Sequence, residues 1–271
     1  MTTTTTERPD APPAPPLSRA DDAGIATLTM DRPDKFNALS VELLDALLAA
    51  FRAIGEDRSV RVVVLAGAGR AFCTGHDLKQ MRADPSDDAI RALFRRCAEL
   101  MLAIARIPQP VIARVHGVAT AAGCQLVASC DLAVAAEGAR FAVSGVNLGL
   151  FCSTPMVALS RNLSRKRAME MLLTGDFIDA ATAERWGLIN RVVPADRLDA
   201  AVAELATAVA AKSPAAVALG KQLFYRQLEQ GIEAAYELAS ETMACNMRTR
   251  DAQAGIDAFL GKQPLPQWTG R

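Results

Sequence analysis

The chain has 271 residues, of which 51% are hydrophobic and 5% aromatic, and its 30 Lys and Arg residues balance 30 Asp and Glu residues. This length and composition predict a soluble globular protein with a sizeable core. The net charge of zero argues against partners bound through long-range electrostatics, so neither nucleic acid nor a membrane is expected as a partner.

The cysteines and histidines bear on metal binding and on the redox compartment. Six cysteines and two histidines include no C-x-x-C motif and no pair at zinc-ligand spacing, so no metal site is predicted. The most apolar stretch, residues 118–136, contains Gln125 and Asp131, which a membrane span rarely tolerates. We therefore expect a cytoplasmic protein with reduced thiols.

The first part of the chain predicts a tail followed by alternating strands and helices. Residues 1–20 are rich in Thr and Pro, lack an apolar signal core and predict a disordered tail. Ser40 predicts the N-cap of a helix over SVELLDALLAAFRAIGED. Strands are predicted for five apolar segments, which are GIATLTMDRP, RVVVLAGAG, PVIARVHG, DLAVAAE and RFAV. The segment AGAGRAFCTGHDLKQM predicts a loop, and VATAAGCQLVASC predicts a turn that opens into a buried helix.

From Thr154 onward the signals are helical, and no strand is predicted there. Helix starts are predicted where a capping residue precedes proline, at Thr154 with Pro155 and at Ser213 with Pro214. Two further helices are predicted from N-caps and glycine stops, at Ser164 with Gly175 and at Asp179 with Gly187. The predicted organisation is a tail over residues 1–20, an α/β core over 21–210 and a helical region over 211–271.

Four blocks of the chain are distinctive in their residues, order and spacing. They are DRPDKFNALS, GRAFCTGHDLKQM, VHGVATAAGCQLVASCDLAVAAE and NLGLFCSTPMVALSR. With these blocks the sequence resembles the crotonase superfamily, also called the enoyl-CoA hydratase/isomerase family. Adding LLTGDFIDAATAERWGLINRVVP and FLGKQPLPQW extends the resemblance over residues 20–268. The HDLK and GLFCSTP stretches are most similar to the group of that family called enoyl-CoA hydratase domain-containing protein 3.

The resemblance implies an α/β fold in which ββα units wind into a crotonase (ClpP-like) spiral over residues 21–210, with residues 211–271 as a helical trimerisation region. It implies a homotrimer or a hexamer built as a dimer of trimers. It also implies an acyl-CoA thioester as substrate and no cofactor beyond the coenzyme A that the substrate carries. The implied chemistry is stabilisation of a thioester enolate by two backbone N–H groups, which by motif match belong to His76 and Ala122.

The two glutamates that hydrate an enoyl thioester in this family have no counterpart in the chain. Their matching positions are Gln125, three residues after Ala122, and Gly145 in FAVSGVNLG. Neither residue can exchange a proton, so hydratase activity is expected to be weak or absent. The alternatives are another crotonase-type reaction on acyl-CoA, namely isomerisation, hydrolysis or decarboxylation, or a non-catalytic acyl-CoA-binding or assembly subunit.

Replacement acids or bases are sought among the polar residues expected near the pocket, which are Ser144, Asn147, Cys152, Ser153 and the His76 ring. Ser153 is also explained by helix capping, and His116 by a structural hydrogen bond. Cys124 is expected to be a packing residue, although a cysteine hydrolase with a histidine base is an alternative. Asp131 is expected to fix a turn between helix and strand.

The resemblance also assigns the residues that bind coenzyme A. They are Lys35 and Ala38 in the first block, and Ala71, Cys73, Gly75, Asp77 and Leu78 in the second. Phe259 and Lys262 match a pair that often reaches the coenzyme A of a neighbouring subunit. Lysine ammonium groups suit the phosphates of this ligand.

Overall fold

The computed structural model describes residues 15–271, so most of the predicted tail lies outside the described residues. The tail prediction is wrong for residues 17–20, because Leu17–Asp22 form strand β1. This strand pairs antiparallel with β2 (Ile25–Met30) across a turn in which Ala23 and Gly24 have positive φ. The side chains of β1 are mostly exposed and polar, so main-chain pairing, which apolar patterning does not reveal, holds this edge strand.

The remaining strands form two sheets. Their bounds are β3 (Val62–Gly67), β4 (Ala71–Cys73), β5 (Val111–Val115), β6 (Val118–Thr120), β7 (Leu132–Ala136), β8 (Arg140–Ala142), β9 (Ile178–Asp179) and β10 (Arg191–Val193). One sheet has the order β1-β2-β3-β5-β7-β10 and is parallel from β2 onward. The other has the order β4-β6-β8-β9, with only β9 antiparallel.

Successive strand pairs give the chain its spiral. In β3–β4, β5–β6 and β7–β8, the first strand joins the six-stranded sheet and the second joins the four-stranded sheet. Each pair is followed by one or more helices, which carry the chain back to the next strand of the large sheet. This repeated ββα unit is the fold that the resemblance implies.

Eleven helices are present among residues 15–271. They are α1 (Val41–Glu56), α2 (Leu78–Ala83), α3 (Asp87–Arg106), α4 (Ala122–Ser129), α5 (Ser153–Asn162), α6 (Arg165–Thr174), α7 (Ala180–Trp186), α8 (Leu198–Ala210), α9 (Pro214–Gln227), α10 (Ile232–Met247) and α11 (Arg250–Leu260). Within this part of the chain no single helix is long and apolar enough to cross a bilayer. The segments Ala195–Ala210 and Pro214–Gln227 pass by length and composition only as a pair, and they are bent by 102°.

The helix caps test the local sequence signals. Ser40 caps α1 as predicted, since its side chain accepts a hydrogen bond from the Leu43 N–H. The cap predicted at Thr154 is wrong: Cys152 is the N-cap of α5, and Thr154 lies within the first turn. The prediction also omitted the 20-residue helix α3, whose N-cap is Ser86, and the strands β9 and β10. These strands have only two and three residues, too few to show a period.

The large sheet is covered by α8. Leu198, Val202 and Ala206 of this helix are buried against strand residues that include Val62 and Ile112. The predicted boundary at residue 210 coincides with the end of α8, and α9, α10 and α11 follow it.

A buried carboxylate fastens the C-terminal segment to α11. Asp251 accepts hydrogen bonds from the Ser213 hydroxyl (2.6 Å), the Thr269 N–H and hydroxyl (both 2.8 Å) and the Gly270 N–H (3.0 Å). Burial alone would raise the pKa of Asp251, but these hydrogen bonds outweigh it and lower the pKa to about 2. The segment is therefore held by the ionised form.

We expect the C-terminal segment to undock in acid. Because the pKa of Asp251 is below its ordinary value of 3.8, the stabilisation is complete above that pH and is lost as the pH falls towards about 2. The fluorescence of Trp268, whose indole N–H donates to the Ala211 carbonyl, reports docking in a Trp186→Phe background. Asp251→Asn should weaken docking at neutral pH and remove this transition. An unchanged Trp268 signal down to pH 2 would contradict the assignment.

Candidate functional site

The first predicted site lies where the chain leaves β4 and enters α2. Gly75 has a φ of +89°, a conformation that glycine adopts without strain. The next residue, His76, forms an isolated parallel bridge with Leu39, in which Leu39 N–H donates to Gly75 and Asp77 N–H donates to Leu39. Asp77 is the N-cap of α2, and its carboxylate accepts the N–H groups of Lys79 and Gln80.

The bridge leaves the N–H of His76 without a partner. Both hydrogen bonds of the bridge are made by the neighbours of His76, through the Gly75 carbonyl and the Asp77 N–H. No acceptor for the His76 N–H is present among residues 15–271. A main-chain N–H with no partner in the folded chain is unusual and is available to a ligand.

The second predicted site is the start of α4. Ala122 is the first helical residue, and its N–H likewise has no acceptor within the described chain. The preceding residue, Ala121, has φ 50° and ψ −121°, a conformation that is strained for a residue with a Cβ atom. The Ala121 N–H donates to the Ala142 carbonyl of β8 at 3.0 Å, which fixes the strained residue to the small sheet.

Two glycines bring these sites together. A Cβ atom on Gly75 would lie 2.9 Å from the Ala121 methyl carbon and 3.2 Å from the Ala122 nitrogen. A Cβ atom on Gly123 would lie 2.0 Å from the Cys73 carbonyl oxygen, so α4 packs directly on the backbone of β4. The turn that carries the His76 N–H therefore contacts the helix start that carries the Ala122 N–H.

Gln125 lies one helical turn after Ala122. Its side chain is only 4% exposed, and its Oε1 atom has no hydrogen-bond partner in the described chain. Residues three apart on a helix project from the same side, so Gln125 shares a face of α4 with Ala122. The position holds a neutral amide.

Gly145 has no room for a side chain. It lies in the 3₁₀ turn Ser144–Leu148, and the Leu150 N–H donates back to its carbonyl at 3.0 Å. A Cβ atom at this position would lie 2.5 Å from the Leu150 carbonyl oxygen and 2.8 Å from the Cys152 sulfur. The turn over residues 145–152 therefore excludes any larger residue at position 145 unless its backbone moves.

We expect Gly145→Ala to destabilise the protein by about 1–3 kcal/mol, because the added methyl group overlaps a backbone carbonyl that cannot swing aside. Gly138→Ala is the matched control, since a Cβ atom there meets nothing within 4 Å. Urea unfolding of both variants measures the difference. Equal stability of the two variants would show that the backbone of the 145–152 turn shifts without cost to accommodate the added methyl group.

The ring of His76 is buried against α3. It stacks edge-on with Phe94, with ring centroids 5.4 Å apart, and neither ring nitrogen has a partner among the described residues. Burial lowers the pKa of His76 to about 4, so the imidazole is neutral at neutral pH. A neutral ring with this pKa is poorly suited to be the acid or base that the sequence analysis considered.

The other side chains considered as acids or bases either make internal hydrogen bonds or have a raised pKa. Three side chains make internal hydrogen bonds, Ser144 with Thr120 (3.0 Å), Asn147 with the Gly175 carbonyl (3.4 Å) and Ser153 with the Phe151 carbonyl (3.2 Å). Burial raises the pKa of Cys152, and it raises the pKa of Cys124 to about 12. His116 makes the structural hydrogen bond expected of it, to the Gly69 carbonyl at 2.9 Å.

Two residues of the first block have roles that the sequence analysis missed. Asn37 is fully buried at φ 54°, and its amide donates to the carbonyls of Ala68 and Ala71, both at 2.8 Å. Arg32 donates to the Ala38 carbonyl at 2.6 Å and pairs with Asp77 at 3.4 Å. Asparagine tolerates the left-handed region, so an asparagine shortly after Pro33 was the available signal.

The residues predicted to bind coenzyme A fall in two places. Lys35 is exposed, Ala38 is half-buried, and Ala71 and Cys73 are buried in β4 beneath the turn. Burial raises the pKa of Cys73 to about 12. Leu78, the first residue of α2, is exposed.

Phe259 and Lys262 lie apart from these residues in the sequence, at the end of α11, which packs on α9 and α10. Phe259 is 78% exposed and borders an apolar cleft of about 460 Å³ formed with Leu260, Leu265 and Trp268.

Comparisons with known proteins identify the family. The sequence profile of the enoyl-CoA hydratase/isomerase family matches residues 20–271. Mitochondrial enoyl-CoA hydratase domain-containing protein 3 of Rattus norvegicus is 43% identical over 264 residues, which cover 97% of this chain and 88% of that protein.

Solved structures give the same result. A crystal structure of enoyl-CoA hydratase from Mycobacterium smegmatis superposes with a TM-score of 0.92 at 58% identity, covering 94% of this chain and 99% of that one. For human enoyl-CoA hydratase domain-containing protein 3 the TM-score is 0.90 at 43% identity, over 93% of this chain and 99% of that one. The crotonase fold and the resemblance to this group are confirmed.

The expectation of a cytoplasmic location is contradicted, because the rat, mouse and human relatives are named as mitochondrial proteins. An expectation of reduced thiols does not distinguish the cytoplasm from another reducing compartment. The family match, by contrast, spans nearly the whole chain and is shared by sequence and structure. The chain therefore belongs to the enoyl-CoA hydratase/isomerase family.

Proposed function

We propose that this protein binds an acyl-CoA thioester with the thioester oxygen between the N–H groups of His76 and Ala122, and that it stabilises the enolate of that thioester. The observation that carries the proposal is the pair of unengaged N–H groups, on segments so close that a Cβ atom added to Gly75 would lie 3.2 Å from the Ala122 nitrogen. Preorganised donors of this kind stabilise an oxygen on which negative charge develops. Ala122 also begins α4, and a helix N-terminus favours negative charge.

Hydration of an enoyl thioester by this site is weak or absent. Addition of water needs a group that takes a proton from water and a group that exchanges one at the α-carbon. Gln125 has a neutral amide at the first family position, and the turn at Gly145 leaves no space for an acid at the second. We expect crotonyl-CoA to be hydrated at least about 100-fold more slowly than by a glutamate-bearing relative measured in parallel.

The binding mode is tested with a pair of ligands that differ at the carbonyl group. Butyryl-CoA has a thioester oxygen, whereas S-butyl-CoA, its thioether counterpart, has none. Calorimetry should show tighter binding of butyryl-CoA by about threefold to tenfold, the contribution of the hydrogen bonds to its oxygen. Equal affinities would contradict the proposed placement of the oxygen.

The N–H group of Ala122 can be removed by incorporating lactic acid in place of alanine, which changes the amide N–H into an ester oxygen. At Ala122 this change should abolish the preference for butyryl-CoA over S-butyl-CoA with only a small loss of stability. The N–H that it removes has no internal partner, and the bond from the Gln125 N–H to the Ala121 carbonyl, which becomes an ester carbonyl, is weakened but not broken. At Ala121 it removes the bond to Ala142, so it should lower stability by about 1 kcal/mol and keep the preference.

A second function, decarboxylation, is favoured by the absence of acids at both family positions. Loss of carbon dioxide from a malonyl thioester breaks a C–C bond and leaves its electron pair on the enolate, so no protein base is needed. Carbon dioxide release from malonyl-CoA that the Ala122 ester variant abolishes would support this reaction. Butyryl-CoA binding without turnover of malonyl-CoA or crotonyl-CoA would support an acyl-CoA-binding subunit instead.

Assembly of the chain into a homotrimer or hexamer is part of the proposal. The C-terminal helices expose large apolar side chains, each about half or more exposed, at Phe224, Leu228, Ile232, Tyr236, Met243 and Met247. Exposed apolar groups on neighbouring helices are typical of a surface that a partner covers. Native mass spectrometry should show three or six chains, and a monomer at micromolar concentration would contradict it.

A further inference from the structure

We propose that a second site, separate from the candidate site, binds a phosphate monoester that carries free hydroxyl groups. The site is a cleft of about 600 Å³, bounded by the loop after α1, the loop before β5, the start of α9 and the C-terminal segment. We call it the polar cleft. Its volume lies in the range that is usual for sites that bind small molecules.

The polar cleft lies beside the starts of strands β3 and β5. Arg61 directly precedes β3, and Gln109 precedes β5 by two residues, whereas the chain reaches the candidate site from the ends of these strands, through β4 and β6. The six residues of β3 span about 17 Å. The cleft shares no residue with the candidate site or with the positions assigned to coenzyme A. The inference therefore does not depend on the proposed function.

Two arginines give the polar cleft positive charge. Arg58 and Arg61 lie in the loop between α1 and β3, and neither pairs with a carboxylate among residues 15–271. Arg61 donates to the Lys212 carbonyl at 2.5 Å, and this bond holds its side chain beside the start of α9. In the described chain the only acidic side chain of the wall is that of Glu56, which is exposed. Two guanidinium groups are therefore available to an anion.

The N-terminus of α9 adds to this charge. The helix has 14 residues, and Pro214 and Ala215 at its start line the polar cleft. The Ala215 N–H has no acceptor in the part of the chain that the structure describes. Free N–H groups at a helix start, together with the helix dipole, favour a bound anion. Two guanidinium groups and a helix start suit the two charges and three oxygens of a phosphate monoester better than the single charge of a carboxylate.

A buried glutamine indicates what else the ligand carries. Gln109 lines the polar cleft and is only 6% exposed, and its amide nitrogen donates to the Ile54 and Asp57 carbonyls at 2.8 and 3.1 Å. Its Oε1 atom has no partner among residues 15–271. A buried amide oxygen almost always accepts a hydrogen bond, so the missing partner is a donor. An ionised phosphate monoester group has no donor of its own, so a hydroxyl group elsewhere on the ligand supplies it.

The first test is calorimetry with ribose 5-phosphate, AMP and methyl phosphate, at a pH at which each is a dianion. Methyl phosphate is a monoester without a hydroxyl group. We expect at least one of the other two esters to bind about tenfold or more tightly than methyl phosphate. The tighter ester then shows whether the source is a free sugar phosphate or a nucleotide. Methyl phosphate binding as tightly as both, or no binding by ribose 5-phosphate and AMP at millimolar concentration, would overturn the inference.

The second test locates the phosphate group. Arg58→Gln and Arg61→Gln should each weaken binding of the preferred ester and of methyl phosphate by about fivefold or more, because each removes a charged donor. Lys35→Gln is the control, since AMP resembles part of coenzyme A and Lys35 is assigned to coenzyme A. This variant should bind the ester as the wild type does. Weakening by Lys35→Gln, with no effect of the arginine variants, would place the ester in the coenzyme A site and overturn the inference.

The third test locates the hydroxyl group. Gln109→Met removes the amide oxygen, so it should bind methyl phosphate and the preferred ester within about twofold of each other. Gln125→Met is the matched control, because Gln125 is also a buried glutamine with an unpaired Oε1 but lies in the candidate site. It should keep the full preference. A preference that persists in Gln109→Met, or that is lost in both variants, would overturn the assignment of Gln109.

Discussion

Replacing Gly123 with alanine should destabilise the protein by about 3 kcal/mol or more and abolish butyryl-CoA binding. The added Cβ atom would lie 2.0 Å from the Cys73 carbonyl oxygen and 2.6 Å from its carbon, so the contact is with backbone on both sides. Neither α4 nor β4 can relieve it by a change of rotamer, and overpacking of this kind is strongly destabilising. Any shift of α4 also displaces the Ala122 N–H.

Gly220→Ala is the control, and it should raise the free energy of unfolding instead of lowering it. Gly220 lies inside α9, and a Cβ atom there meets nothing within 4 Å. Alanine is favoured over glycine inside a helix, so this variant should gain up to about 1 kcal/mol. Urea unfolding and calorimetry with butyryl-CoA measure both variants. If Gly123→Ala were as stable as the wild type, the direct packing of α4 on β4 would be wrong.

The fold was predictable where local chemistry carried the signal. Ser40 and Asp179 each cap a helix through a side-chain oxygen, and Gly175 and Gly187 each end one with a positive φ. Short-range patterns of this kind need no knowledge of the rest of the chain. The strand β1 and the helix α3 could not be predicted from such local patterns. The first is held by pairing of exposed residues, and the second begins in a polar segment after Ser86.

The candidate site was predictable as a set of positions but not as a set of contacts. Motif matching selected His76, Ala122, Gln125 and Gly145, and the structure gives each a distinct environment. That Gly145 cannot accept a side chain depends on Leu150 and Cys152, which reach it only through the turn that follows. The low pKa of His76 depends on burial beside α3, a helix that the sequence analysis omitted. Such properties arise from tertiary packing, which no residue pattern encodes by itself.

A buried ion pair connects the C-terminal helices to the core. Lys221 of α9 donates to Asp131 at 2.7 Å and to the carbonyls of Ile104 and Gln109 at 2.8 and 2.9 Å. Asp131 also accepts the Val111 N–H, at the start of β5, at 2.7 Å. The expectation that Asp131 fixes the turn between helix and strand is wrong, because its carboxylate accepts hydrogen bonds from β5 and α9 instead, including one from the only buried lysine in the described chain.

We expect Asp131→Ala to destabilise the protein by about 3–5 kcal/mol, because it leaves the Lys221 ammonium buried without a counterion. Glu229→Ala is the matched control: it breaks the exposed pair with Arg161 and should cost less than about 1 kcal/mol. Urea unfolding at one fixed protein concentration separates the two, since the proposed assembly would make stability concentration-dependent. Lys221→Met added to Asp131→Ala should recover part of the loss, because the unpaired charge is then gone. If the double variant were less stable than Asp131→Ala alone, the bonds from Lys221 to the carbonyls, rather than the ion pair, would hold α9 to the core.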